Sequence, residues 1–229
     1  MYRVIASLPD CIALQEDIDT ILVWCGDNGM RVNNMKCKVI TFGRCNIPIL
    51  HQYRMETASL ERVSSICDLG VTIDSRFRFN EHVSITTVKA FSVLGFIRRH
   101  ASEFTDILAL KTLYCSLVRS ILEYAAPIWS PYYVAHVLTI ERVQKRFLRF
   151  ALRQLPWNDP TNLPPYSDRC KLIGLEPLSV RRVTMQRLFM FDVIGGSIDC
   201  PEHSSSTVSE LSFNSSLILL NKLRLQQPF

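Results

Sequence analysis

Five cationic residues late in the chain, Arg142, Lys145, Arg146, Arg149 and Arg153, follow one another at steps of one, three or four. On an α-helix such spacing lays them along one side. The chemistry open to that row is electrostatic: each group can pair with a phosphate of a nucleic-acid backbone and release a counterion, so that binding weakens steeply with salt. A solubilising face would look the same, and Glu141 is the one nearby acid to offset the charge. Residues 80 to 155 hold ten Lys or Arg against five Asp or Glu, a surplus equal to the +5 of the whole chain.

Other reactive residue types form weaker patterns. The acids Glu16, Asp17 and Asp19 lie opposite an apolar stripe, which reads as a solvated face rather than a set of metal ligands. Eight cysteines (Cys11, Cys25, Cys37, Cys45, Cys67, Cys115, Cys170 and Cys200) lack the paired spacing of a zinc site. They sit in apolar runs, and no secretory leader precedes them, so a reducing intracellular location is expected, nucleus or cytoplasm alike. The histidines His51, His82, His100, His136 and His203 are scattered, with no motif joining one to a nucleophile, so a hydrolase is not indicated. No apolar run approaches the roughly 20 residues that cross a bilayer.

The elements that must hold these residues fall into two classes. Asp10 is a candidate N-cap for a helix with Leu14, Ile18, Ile21, Leu22 and Cys25 inward, stopped at Asn28-Gly29. Tyr2, Val4 and Ile5 before it read as a strand. Short β-rich runs follow at Lys38 to Phe42, Ile47 to Met55 and Leu60 to Ile73, with Gly43 and Pro48 in a turn between the first two. Three longer helical patterns come next. Asn80 to about His100 turns Val83, Val88, Phe91, Leu94 and Ile97 inward. The second opens at Thr105 or Asp106, is stopped by Pro127, and places Leu110, Leu113, Tyr114, Leu117, Val118, Ile121 and Leu122 at helical steps. The third, Val134 to Leu155, sets Ile140, Val143, Phe147, Phe150 and Ala151 against the basic row. A proline-rich connector from Pro156 to Pro165 leads to shorter helices at Ser167 to Ile173 and Ser179 to Ile194, then to a Ser-rich tail. The fold class expected is α+β: a small antiparallel sheet with one helix, followed by a mainly α-helical bundle.

In this order the blocks resemble the region after the catalytic motif in reverse transcriptases of non-LTR retrotransposons, particularly the jockey-like group. The likeness spans roughly residues 8 to 201. It is carried by Leu14-Gln-Glu-Asp-Ile-Asp19, Trp24-Cys25 with Asn28-Gly29, Asn33 with Lys36-Cys-Lys38, Asp68-Leu-Gly-Val71 with Asp74, Glu81-His82, and Leu94-Gly-Phe96. Further on it is carried by Leu110-Lys-Thr-Leu-Tyr-Cys115, Leu122-Glu-Tyr124, Trp129-Ser130, Glu141-Arg-Val-Gln144, Leu155-Pro-Trp157, Pro164-Pro-Tyr166, Arg169-Cys170 and Gly174-Leu-Glu-Pro-Leu178. Ser120 departs from the pattern, standing where relatives usually have proline, and a straighter helix is expected there.

The resemblance implies four regions: a palm remnant over 1–78, a thumb-like helical bundle over 79–155, connector helices over 156–200 and a loosely ordered tail over 201–229. It implies a primer grip at Leu69, Gly70 and Val71, and a lysine near the leaving pyrophosphate at Lys36, which without nucleotide or metals would be a relic. It also implies a template–primer contact along Arg142, Lys145, Arg146, Arg149 and Arg153, and it covers His82. In such enzymes the polymerase carboxylates lie just before the segment with which this chain begins, and the chain contains no Asp-Asp pair. Two-metal phosphoryl transfer needs those carboxylates. The expectation is therefore a truncated RNA-directed DNA polymerase with no catalytic or metal-binding residue and no cofactor of its own, although full-length relatives would use magnesium. Its partner would be an RNA–DNA hybrid or other nucleic acid, bound weakly and without sequence preference, and no membrane. The alternative is a non-enzymatic interaction or scaffold protein that reuses the bundle.

Overall fold

The computed structural model describes residues 1–43, 49–155 and 163–198. The chain divides into two compact units, one ending at His82 and one beginning at Val83. Short strands accompany a helix in the first and helices build the second, so the α+β class holds. The Pro48 turn, the connector over 156–162 with Trp157, and the tail with Cys200 and His203 lie outside the described residues.

The first unit is organised on α1, Leu8–Asp27. Ser7, extended, precedes it. The Asp10 carboxylate reaches back to accept from the Ser7 hydroxyl at 2.7 Å, the Ser7 N–H at 2.8 Å and the Ala6 N–H at 3.0 Å. Those bonds, the Ser7 hydroxyl's first, hold its pKa below the usual carboxylate value. Asp10 is thus the third residue of the helix rather than its cap. Cys11 and Ile18 are buried with Tyr53 and Leu60, and Leu14, Leu22, Cys37, Val39 and Met55 pack around them. Ile21 faces out, at 43% exposure, because the inward line runs through Leu14, Ile18 and Leu22. Tyr2, Val4 and Ile5 form no strand; no described strand lies beside them to pair with.

Among the described residues, three two-stranded sheets complete this unit. β1, Lys38–Ile40, pairs in parallel with β4, Glu61–Val63, the one pairing that departs from the expected antiparallel pattern. The register sets Lys38 opposite Glu61, and the two side chains form an ion pair. β2, Arg54–Met55, and β3, Ala58–Ser59, make a small hairpin. The Gln15 amide satisfies both backbone groups of Arg54, accepting its N–H at 2.9 Å and donating to its carbonyl at 3.0 Å. β5, Ser65–Asp68, and β6, Val71–Asp74, form a tighter hairpin in which Asp68 faces Val71 across two turn residues. Asp74 then folds the chain toward the next helix, its carboxylate accepting from the N–H groups of Arg76, Arg78 and Phe79 at 2.7 to 2.9 Å.

The helical part comprises α2 (Asn80–His100), α3 (Ile107–Leu113), a π-helical segment (Tyr114–Arg119), α4 (Ser120–Glu123), α5 (Ala126–Trp129), α6 (Val134–Arg153), α7 (Tyr166–Ile173) and α8 (Leu178–Ile194). Its buried side chains include Leu94, Leu110, Tyr114, Leu122, Trp129, Ile140, Phe147, Leu148, Leu152 and Leu178. Tyr114 stacks on Phe147 with centroids 4.2 Å apart. Val88 on α2 and Leu117 in the π segment, both expected inside, are 66% and 43% exposed. On α8, Leu188 and Phe191 also face out. Pro127 does not end the second helical stretch but sits in the first turn of α5, where its missing N–H costs no bond. The six described cysteines are free thiols, and among the described residues no helix is long and apolar enough to cross a membrane.

Candidate nucleic-acid interface

α6 contains neither Gly nor Pro, and its apolar residues recur at helical spacing, so one side is drawn into the core. Ile140, Val143, Phe147, Phe150 and Ala151 are all buried, as their spacing predicts. On the opposite side Arg142, Arg146, Arg149 and Arg153 are exposed. At 1.5 Å per residue this row runs about 16 Å, long enough to lie against several phosphates of one strand. None of the four makes an ion pair among the described residues. Arg146 is steadied by the Phe91 ring, with its guanidinium carbon 5.9 Å from the centroid. Lys145 is half-buried, its Nζ 5.1 Å from the centroid of the Tyr166 ring. It flanks the row rather than belonging to its exposed line.

Glu141 does not offset this charge. It is 5% exposed and points inward, where Oε1 accepts from the Tyr166 hydroxyl and from the Leu178 N–H at 2.9 Å, and Oε2 from the Ser179 N–H at 3.1 Å. Pro177 offers α8 no capping side chain, so an acid on α6 supplies the negative partner that the helix N-terminus requires. Burial and the bond to Glu141 push the Tyr166 hydroxyl pKa well up. One turn along, fully buried Gln144 accepts from the Tyr114 hydroxyl at 2.9 Å and donates to the Tyr166 hydroxyl at 3.0 Å and the Glu176 carbonyl at 2.8 Å. The basic row is therefore carried on a helix whose other side is bolted to α7 and α8.

Two arginines of α8 extend that framework. Arg181 meets Glu123 through Nε at 2.5 Å and Nη2 at 3.0 Å, a forked pair that raises its pKa. Arg182 is buried over the Trp129 ring, 5.2 Å from its centroid, and donates to the Leu122 carbonyl at 2.9 Å. Burial lowers its pKa to about 10. Sequence reasoning gave neither arginine a role, read Glu141 as an acid beside the basic row, and assigned no contact to Gln144 or Tyr166. A signal was present for Gln144, which lies on the same line as Ile140, Phe147 and Ala151. Nothing in hydropathy pointed to a buried Arg182.

In the first unit, Leu69 and Gly70 form the tip of the β5–β6 hairpin, both with positive φ, at 44° and 79°. Leu69 is 84% exposed while Val71 is buried at 4%. A leucine held left-handed and open to solvent is strained and gives up burial, a combination found at sites that contact something else. Lys36 ends a single 3₁₀ turn, Asn34–Lys36, begun by the Asn33 side chain accepting from the Met35 N–H at 3.1 Å. Lys36 is exposed and in no ion pair among the described residues. His82 is buried, and its Nδ1 accepts from the Thr72 N–H at 3.2 Å. Burial lowers its pKa, so the ring is neutral and ties β6 to the start of α2. Among the described residues no three His, Cys, Asp or Glu side chains gather as metal ligands.

Compared with known proteins, the chain is 26% identical over 147 residues to a probable RNA-directed DNA polymerase from transposon BS of Drosophila melanogaster. The match covers 63% of this chain and 16% of that protein, so the chain spans under a fifth of the length of the relative it matches. No family model and no solved structure matches it.

Proposed function

We propose that this chain corresponds to the palm edge, thumb and connector of a jockey-like non-LTR reverse transcriptase, and that it binds template–primer nucleic acid through the exposed face of α6. The observation that carries the reading is the row Arg142, Arg146, Arg149 and Arg153, unpaired among the described residues on a helix fixed from behind by Glu141 and Gln144. The distant similarity to a transposon polymerase supplies the class of partner. Residues 1–78 act as palm edge, 79–155 as thumb and 156–200 as connector. Leu69, Gly70 and Val71 grip the primer end, while Lys36 does no chemistry. Such a row reads charge rather than sequence, so binding is non-specific and strongly salt-dependent. The sequence has no Asp-Asp pair to hold metal ions, and this chain purified by itself is expected to incorporate no nucleotide.

The test is fluorescence anisotropy of the full chain with a labelled RNA–DNA hybrid across a salt series. A variant with Arg142, Arg146 and Arg153 all changed to Ala should lose affinity and about three units of the slope of log K against log salt, close to one per lost phosphate contact. If the folded protein leaves the hybrid free at low salt, the basic row is a solvated face.

A further inference from the structure

Arg169, on α7, carries a buried charge that no acid answers among the described residues. It is 7% exposed, and its Nε and Nη1 are buried with no hydrogen-bond partner among them. Arg182 is buried as deeply and its Nε and Nη1 likewise lack a hydrogen-bond partner, but its Nη2 has the Leu122 carbonyl, its guanidinium lies over the Trp129 ring, and Glu141 and Glu123 raise its pKa against burial. Around Arg169 the carboxylates are engaged elsewhere. Asp168 lies 3.7 Å from Lys171, and Glu141 is taken up by Tyr166 and the first amides of α8.

The one cation that acts on it electrostatically among the described residues is Arg149, while Tyr166 and Cys170 favour its charge. Arg169 lies with its guanidinium carbon 5.9 Å from the centroid of the same Tyr166 ring on which Lys145 rests. Arg149, one turn beyond Lys145 on α6, is close enough to add to the effect of burial in lowering the pKa of Arg169. Buried charges persist in proteins when something of opposite sign meets them. Here the missing sign is negative, and Arg149 opens the cluster to solvent.

We infer that Arg169 and Arg149, with Lys145 beside them, form a seat for one phosphate oxyanion of a bound nucleic-acid strand, extending the α6 row onto α7. This rests on the nucleic-acid reading of α6. A guanidinium fork matches two phosphate oxygens where an ammonium offers a point charge, so arginine is the residue such a seat needs. The seat fixes a phosphate and leaves the base unread.

The experiment uses the full chain and the labelled hybrid over a salt series. Arg169→Gln and Arg149→Ala should each weaken binding about tenfold at low salt and each remove about one unit of salt slope. The double variant should lose less than the two losses combined, because both side chains hold one phosphate. Arg149→Ala is a substitution at an exposed position and carries the test if Arg169→Gln does not fold. Should Arg142→Ala weaken binding while Arg149→Ala and every folded Arg169 variant keep wild-type affinity and slope, the seat is overturned and the α6 face stands. If the wild type leaves the hybrid free, the reading of α6 falls, and inorganic phosphate then decides the seat. A rise in melting temperature that Arg149→Ala abolishes supports a seat for free phosphate. An equal rise in both proteins, or none, overturns it.

Discussion

Glu141 satisfies three donors from two helices with one carboxylate, which makes it the most exacting residue of the helical part. Glu141→Ala would leave the Tyr166 hydroxyl proton and two N–H groups at the start of α8 without an acceptor. A loss of about 3 kcal/mol is expected in urea unfolding, against about 1 kcal/mol for Glu141→Gln, which keeps an acceptor but not the charge. His82 gives a pH signature. Its folded pKa lies below the ordinary value, so the unfolded chain binds the proton more tightly, and stability present at neutral pH is lost as pH falls below about 6.5. His82→Asn keeps an acceptor for the Thr72 N–H and cannot titrate. Thermal melts from pH 7.5 to 5 should fall less steeply for this variant than for the wild type. These roles were hidden in the sequence because a carboxylate or imidazole looks alike whether it faces solvent or a buried amide.

At the scale of elements, the helices were legible and their inner faces partly so. α6 follows the 3.6-residue period, and every apolar residue read as inward is buried. The stretch from Ile107 to Glu123 does not follow it. Its fully buried line is Leu110, Tyr114, Val118 and Leu122, a strict step of four. A continuous α-helix would rotate that line away, and the wider π turn over Tyr114–Arg119 restores it. An α-helical template therefore turned Leu117 inward, and Ser120 lies where the π turn gives way to α4. Leu60 to Ile73 was read as one β-rich run, whereas it holds β4, β5 and β6, and the strain at the β5–β6 tip is visible only in the backbone. Two-residue turns with both φ positive favour Asn-Gly. Leu69→Asn is expected to stabilise the protein by roughly 1 kcal/mol, while weakening hybrid binding if the leucine packs against a primer. Paired melting and anisotropy measurements separate the two effects.

The two compact units differ in how much they bury. The first rests on a small cluster around Cys11, Ile18, Tyr53 and Leu60, and α1 leaves Val23 and Trp24 largely exposed. The helical part buries whole aromatic and aliphatic layers and ties them with hydrogen bonds. Amide hydrogen exchange should accordingly be slowest in α6 and the Leu110 to Leu122 stretch, and fastest in β1 to β4. Uniform protection across the chain would contradict this. The basic row was readable from spacing alone, whereas its support was not, because α6 is completed by residues some 25 to 38 positions further along. That delay matters during translation. When α6 leaves the ribosome its Glu141 carboxylate lacks its partners and its Gln144 amide has only the Tyr114 hydroxyl, and the rest follow only as α7 and α8 emerge. Any message that stops between the two would yield a chain with a polar seam facing an unfinished core, a natural substrate for chaperones and proteases. The last described helix thus closes the polar seam that α6 leaves open until then.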